Sequence, residues 1–255
     1  MGTNSNATAS PAQPEPELAG QTVVIIGGTS GIGLETARRA RVEGAKLILT
    51  GRNPDRLQRA ATELDALATA AFDANDPASI HSFFKGLPTQ IDHVMVTADG
   101  PYYGPLLKMD SDQVRRAMSD HVVLAVEVAR NIAGKVPPGG TLLLMGGTGG
   151  RRINGELGIV SAVTAAMPAL TATLALELAP VRVNLIAAGF VDTPLSASLL
   201  GDELENRRSH LRTTLPIRRV VQPVDVAALA VHIMSNTALT GATYDIDGGQ
   251  QFLDA

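Results

Sequence analysis

Gly27, Gly31 and Gly33, in the run VVIIGGTSGIGLETARRA, are spaced to do chemistry with the backbone rather than with side chains. An apolar strand-like run precedes them and a helical pattern follows. In that context the glycines let the chain approach a pyrophosphate, and the amides of Gly31, Ile32 and Gly33 at the helix start offer N–H donors. Thr29 and Ser30 add hydroxyls. The bland reading of the same run is a tight strand-to-helix turn with no ligand. About twenty residues on, an Asp or Glu ending the second strand would bind a ribose 2′-hydroxyl and select NAD. This chain instead reads LTGRN, with Arg52 and Asn53 after Gly51. A guanidinium pairs with a 2′-phosphate and stacks on an adenine. The expected cofactor is therefore NADP(H), against the reading that Arg52 is a solvated surface arginine.

Fewer groups could handle a substrate. DGPYYGP, after the fourth expected strand, offers the Asp99 carboxylate and the phenols of Tyr102 and Tyr103, or else a turn residue and an aromatic lid. Arg151 and Arg152 follow GGTGG and would meet an anionic substrate or stand as a solvated pair, and Thr148 adds a hydroxyl. The absence of cysteine excludes disulfides, thiolate chemistry and cysteine-bound zinc. The five histidines, His81, His93, His121, His210 and His232, show no metal-binding spacing, so no metal is expected.

The elements that must position these residues alternate. Strands are expected at 22–27, 45–51, 68–73, 91–97, 140–146, 181–189 and 242–249. Helices are expected at 31–43, 54–66, 76–87, 111–133, 157–179 and 225–235. Several strands are unbroken aliphatic runs, as when helices cover both sheet faces. The expected fold is α/β: a single Rossmann-type, doubly wound parallel sheet of about seven strands over residues 19–255. Residues 1–18 carry few bulky apolar groups and read as a disordered tail without a secretory signal. A net charge of −4 on 255 residues gives no sign of nucleic-acid binding. The run 157–179 is the most apolar. Its threonines, Pro168 and Glu177 argue for a buried helix rather than a membrane span, and a cytoplasmic location follows by default.

Taken together, the glycine spacing, GRN, FDAND, RVNLIAAGFVDTPL and TGATYDIDGG resemble a short-chain dehydrogenase/reductase over nearly everything after the tail. The resemblance implies that Asp73 binds the adenine amino group, with Ala74 beside it, and that Thr97 and Ala98 border the cofactor. It further implies that Gly189, Val191 and Thr193 meet the nicotinamide end, that Asn184 is structural, and that Asp245 or Asp247 fixes the last strand. The family's catalytic Asn, Ser, Tyr and Lys fall on His121, Gly147, Val160 and Thr164. In the family the tyrosine protonates the developing alkoxide, the lysine lowers its pKa, and the serine polarises the carbonyl. Valine can do none of this, and loss of general acid catalysis typically costs ~10²–10⁴-fold.

His121, Tyr103 and Thr164 are the groups left to substitute, although His121 also reads as a residue packed beneath the site. Two functions stay open. One is an NADP(H)-dependent oxidoreductase with a non-standard active site, acting on an activated electrophile or through a substitute proton donor. The other is a non-enzymatic NADP(H)-binding sensor or scaffold. The resemblance also implies a homotetramer or homodimer joined through helices 111–133 and 157–179.

Overall fold

Alternate residues of the aliphatic strands face opposite ways, and this divides the core in two. The computed structural model describes residues 17–87, 90–98 and 100–253. The expected tail up to residue 16 and the candidate Asp99 lie outside them. Seven strands form one sheet: β1 (Thr22–Ile26), β2 (Lys46–Gly51), β3 (Ala68–Ala71), β4 (His93–Val96), β5 (Thr141–Gly147), β6 (Arg182–Ala188) and β7 (Thr243–Ile246). Their spatial order is β3-β2-β1-β4-β5-β6-β7, and every pairing is parallel. The order reverses between β1 and β4, where such sheets open a crevice beyond the strands' carboxyl ends.

The helices are α1 (Gly31–Val42), α2 (Pro54–Leu64), α3 (Pro77–Gly86), α4 (Ser111–Met118), α5 (Leu124–Ile132), α6 (Ile159–Glu177), α7 (Pro194–Leu200), α8 (Leu204–Thr214) and α9 (Pro223–Ser235). Val23, Ile25, Leu47, Leu49, Met95, Leu143 and Ile186 point to one face and pack with α1, α2 and α9. Val24, Ile26, Ile48, Val94, Leu142, Val183 and Leu185 point to the other and pack with α3, α5 and α6. Full burial of each large aliphatic side chain contributes about 1.5–3 kcal/mol.

Several boundaries differ from expectation. Leu18, expected to close the tail, is fully buried and its amide bonds Glu43 O at 2.9 Å, so it belongs to the folded unit. The helix expected at 111–133 is α4 and α5 joined by a π turn at Ser119–Val123. The wider turn shifts the register by part of a residue and aims Asp120 inward, where it is 5% exposed. The last strand ends at Ile246 because Asp247 turns the chain, accepting the amides of Gly249 at 2.8 Å and Gln251 at 2.9 Å. α7 and α8 were not anticipated. Thr193 caps α7 by accepting the amide of Ser196 at 3.1 Å, and Pro194 starts it. By length and composition α6 could cross a membrane, yet Val163, Met167, Thr171 and Leu174 bury its inner face against the sheet.

Candidate functional site

The crevice begins where β1 runs into α1. Gly27 and Gly31 hold positive φ angles of 95° and 51°, a region side chains disfavour. A Cβ on Gly33 would lie 2.3 Å from Gly27 O and 2.5 Å from Thr97 Oγ1, so no larger residue fits. Thr97 ties the end of β4 to this loop, donating its hydroxyl to Ile26 O at 3.1 Å and Gly27 O at 3.2 Å. It is a buttress beneath the loop, and Ala98 packs against the core beside it. The first amides of a helix have no partner within it. Ser30, at the cap of α1, makes no side-chain bond to them, and the first turn carries no acidic residue. The amides of Gly31, Ile32 and Gly33 therefore stand ready for an anion, and these residues fit a dinucleotide pyrophosphate.

Gly51 brings β2 to the same place. A Cβ there would meet Thr29 Cγ2 at 2.5 Å, so its absence lets Thr29 lie against the strand end from which exposed Arg52 projects. The oxygen of the Asn53 side chain is engaged, accepting the amide of Arg56 at 2.9 Å as the cap of α2. Asp73 is exposed with one carboxylate oxygen on the amide of Asn75 at 3.0 Å, while Ala74 is buried behind it. Across the crevice, a Cβ on Gly31 would meet Thr193 at 3.5 Å, so the loops after β1 and β6 face each other. Gly189 lies against Asp247, and Val191 is buried, bridged to Val221. Asn184 is structural, as the resemblance implied: it donates to Leu239 O at 2.8 Å and accepts from Ala242 N at 3.2 Å.

The substrate end differs. Gly147 is extended, and a Cβ on it would meet Thr164 Cγ2 at 3.2 Å. Val160 lies over Gly149. The Thr164 hydroxyl is buried and bonded backward, donating to Val160 O at 2.7 Å with Ser161 O at 3.3 Å. Thr148 is also buried. His121 is half-buried in the π turn, its Nδ1 at 3.2 Å from Ala117 O. A carbonyl only accepts, so Nδ1 carries the proton and Nε2 is left for other work. π turns in helices recur at functional sites.

The two neighbouring tyrosines separate. Tyr102 donates to buried Asp120 at 2.8 Å and packs with Ile159 and Val163. Tyr103 lies near Arg207 of α8. Burial pushes its phenol up and Arg207 pulls it down. With 55% of the residue open to solvent, it stays protonated at neutral pH either way. The expected arginine pair separates too. Arg151 is held by Asp245 and Gln251, while Arg152 lies near Arg207.

Sequence reasoning passed over Asp120 and Arg207. Neither carries a motif, and the π turn and the docking of α8 decide where each points. Among the described residues, no group of three His, Asp or Glu is placed to hold a metal. An open concavity lined by Asp55, Gln58, Arg59, Thr62 and Glu63 is the outer face of α2 alone and takes in none of the site.

Known proteins with this arrangement agree in fold. A family model described as Enoyl-(Acyl carrier protein) reductase matches residues 27–251. The short-chain dehydrogenase/reductase malC of Malbranchea aurantiaca is 28% identical over 250 residues, which span 91% of this chain and 95% of the relative. The solved structure of MalC Reductase/Diels-Alderase from the same organism superposes with a TM-score of 0.86 at 26% identity, covering 94% of this chain and 99% of that one. A small-chain dehydrogenase solved in complex with NADPH gives 0.79 at 26% identity, covering 92% and 100%. With the crevice, the glycine loop and these matches in hand, the chain belongs to the short-chain dehydrogenase/reductase family.

Proposed function

We propose that the protein is an NADP(H)-dependent oxidoreductase with a non-standard proton donor. The observation that carries this reading is the contrast within one crevice. The amides of Gly31, Ile32 and Gly33, the Thr29 and Ser30 hydroxyls and Arg52 make a phosphate cradle, while Gly147, Val160 and the back-bonded Thr164 offer no proton. The relative solved with NADPH supports the choice of coenzyme. A bound nicotinamide supplies or takes a hydride. The chain's own residues hold its phosphates, exclude water and provide the proton. His121 is the proposed donor, acting as an imidazolium: Nε2 gives its proton to the substrate oxygen while Nδ1 keeps the proton held by Ala117 O. Tyr103 forms the opposite wall.

The test is stopped-flow oxidation of NADPH by the purified chain against carbonyl, quinone and imine acceptors. His121→Gln is expected to slow hydride transfer by ~10²-fold with little change in NADPH affinity. An unchanged rate would remove His121 from the mechanism. NADPH binding without hydride transfer to any acceptor would favour the second reading, a sensor or scaffold that binds NADP(H), which the same empty catalytic positions support.

We also propose that the exposed side of α6 pairs with a second copy in a homodimer or homotetramer, together with residues 111–133. Ala162, Ala166, Ala169 and Ala172 form an uncharged exposed row there, ending in Leu176 at 82% exposure. A monomer by light scattering would reject it.

A further inference from the structure

We propose that the hydrogen bond from the Tyr102 phenol to buried Asp120 sets the π turn that aims His121, which makes Asp120 a positioning residue for proton transfer. The inference deepens the oxidoreductase reading and rests on it for the task given to His121. Asp120 and His121 are neighbours in the turn Ser119–Val123 yet have different surroundings. Asp120 is 5% exposed, whereas His121 is half-buried. A carboxylate is costly to bury unless donors meet it. The phenol does so, with its oxygen 2.8 Å from Asp120 Oδ2. π turns are rare because the backbone gives up its i→i+4 bonds there. A carboxylate held from outside the helix gives this one a reason to persist. Winding back to α would turn Asp120 off the phenol and His121 off its aim.

The phenol is itself well anchored. Tyr102 packs in a small cluster with Met109, Val114, Ala117, Ile159 and Val163. Two residues on, the amide of Gly104 donates to Glu156 O at 2.9 Å. Gly158 precedes α6 with a φ of 53°, and a Cβ there would stand 2.1 Å from Gly104 O and 2.9 Å from Met109 Cε. Only glycine lets the connection after β4 lie this close to α6. Asn154 shapes the same turn, accepting the amides of Glu156 at 2.9 Å and Leu157 at 3.2 Å. Residues 102–109 are thus a strap, fastened to the start of α6 on one side and to the π turn on the other. The chain of contacts ends at the imidazole, whose Nδ1 lies 3.2 Å from the carbonyl oxygen of Ala117, a member of the same cluster. An imidazolium that gives up its Nε2 proton is left as the Nδ1–H tautomer, the form that Ala117 O holds. The Tyr102–Asp120 bond therefore acts through the direction and tautomer of His121.

The first readout needs no turnover. Nitrogen NMR of the full chain labelled with ¹⁵N-histidine, at about pH 9 where an ordinary imidazole is neutral, reports which ring nitrogen carries the proton. The His121 signals are those missing from His121→Gln. The unsubstituted protein is expected to show the Nδ1–H form there, against the usual preference of histidine for Nε2–H. Tyr102→Phe and Asp120→Val should each move most of it to Nε2–H. Asp120→Asn, whose side-chain oxygen still accepts the phenol, should restore Nδ1–H. In stopped-flow with NADPH and a quinone, Tyr102→Phe should slow hydride transfer by about tenfold. Its NADPH affinity should stay within about twofold. Added to His121→Gln, it should cost less than about twofold more, because the pair acts through that ring. Should Tyr102→Phe fail to fold around a carboxylate stripped of its donor, Tyr102→Phe with Asp120→Val removes both groups and reads the same signals. An Nε2–H ring in the unsubstituted protein, an Nδ1–H ring that survives these substitutions, or an equal loss of rate with and without His121 would overturn the proposal. The tautomer change without hydride transfer by any of the proteins would sink the oxidoreductase reading and leave the positioning of His121 standing.

Discussion

The two ends of the sheet treat their polar groups differently. At the amino end of β6, Arg182 is 5% exposed, and its guanidinium donates to five carbonyl oxygens, those of Gly139, Ile233, Met234, Asn236 and Leu239. Two of these lie at the C-terminus of α9, where a cation also meets the favourable end of the helix dipole. Close by, His93 bonds Gln21 Oε1 at 2.5 Å, and the amide of Thr22 donates to Asp92 at 2.7 Å. The chain's own acceptors thus enclose the Arg182 guanidinium, although His93 Nδ1 and Thr141 Oγ1 at the same end are buried without a partner among the described residues. At the carboxyl end, the first amides of α1 have no side-chain cap, and Arg207 faces another arginine. Arg182 is removed from bulk water and satisfied from within, whereas Arg207 is only half-buried and keeps a side open to solvent. The difference marks the carboxyl end as the place where something outside the chain completes the hydrogen bonding.

The largest effect should come from filling the cradle. Gly33→Val puts carbon atoms where Gly27 O and Thr97 Oγ1 already stand. The loop must open, and NADPH affinity should fall by at least about 100-fold, roughly 3 kcal/mol. Fluorescence titration of NADPH reads this directly. Binding within a fewfold of the unsubstituted protein would mean that the loop does not hold the phosphates, and the contrast between the ends would lose its functional meaning.

The closed end makes a prediction about acid. Burial first, then the charge of Arg182, push His93 down to about 4, against a partial opposing pull from Asp92. Above the unfolded pKa near 6.5, both states hold a neutral ring and the contribution is intact. As pH falls from there, the unfolded chain gains the proton first, so stability declines until the folded pKa near 4 is passed. The full loss is about 3 kcal/mol. Urea denaturation at about pH 7 and about pH 4.5 should show His93→Gln losing distinctly less than the unsubstituted protein. Parallel losses would show that this end of the sheet is not sealed around a neutral ring.

Arg52 tests a single contact at the open end. Arg52→Gln should weaken NADPH by about tenfold and leave NADH nearly unchanged, because only the former carries the 2′-phosphate. Equal weakening of both coenzymes would place the guanidinium on the shared part of the dinucleotide.

How much of this was readable in the residues follows from how local each cause is. The inner strands were legible because aliphatic runs such as VVII and KLIL need only their own composition to declare themselves, whereas the edge strands β3 and β7, reading ATAA and TYDI, were placed by the alternation of elements around them. α2 and α3 were legible at their starts, where Asn53-Pro54 and Asp76-Pro77 place a capping side chain before a proline. Thr193-Pro194 carries the same local signal, but the short α7 and polar α8 beyond it have too little apolar periodicity to stand out. The glycine loop was legible because the tightest clash that excludes a side chain at Gly33 is with Gly27 O in the same loop, although Thr97 from β4 adds to it. The π turn and the aim of Asp120 were not, since they depend on how α4, α5 and α6 settle together. Nor was Arg207, whose direction is fixed by the docking of α8 through Arg208 and Asp192.

The smallest effect expected belongs to Thr164, and it sharpens the comparison most. Thr164 is buried at the open end, and the resemblance aligns it with the family's lysine, which is what made it a catalytic candidate. Its hydroxyl nevertheless behaves like the groups of the closed end, bonded to Val160 O at 2.7 Å within its own helix. Bonding back to the preceding turn satisfies a hydroxyl without adding much to helix stability. Thr164→Val keeps the volume and the methyl that faces Gly147, removing only a proton already held by the chain. Stability should change by no more than about 1 kcal/mol and hydride transfer by less than about threefold. A drop approaching that of His121→Gln would mean that the hydroxyl leaves Val160 O when substrate binds. Internal satisfaction in the resting protein would then no longer separate structural groups from working ones.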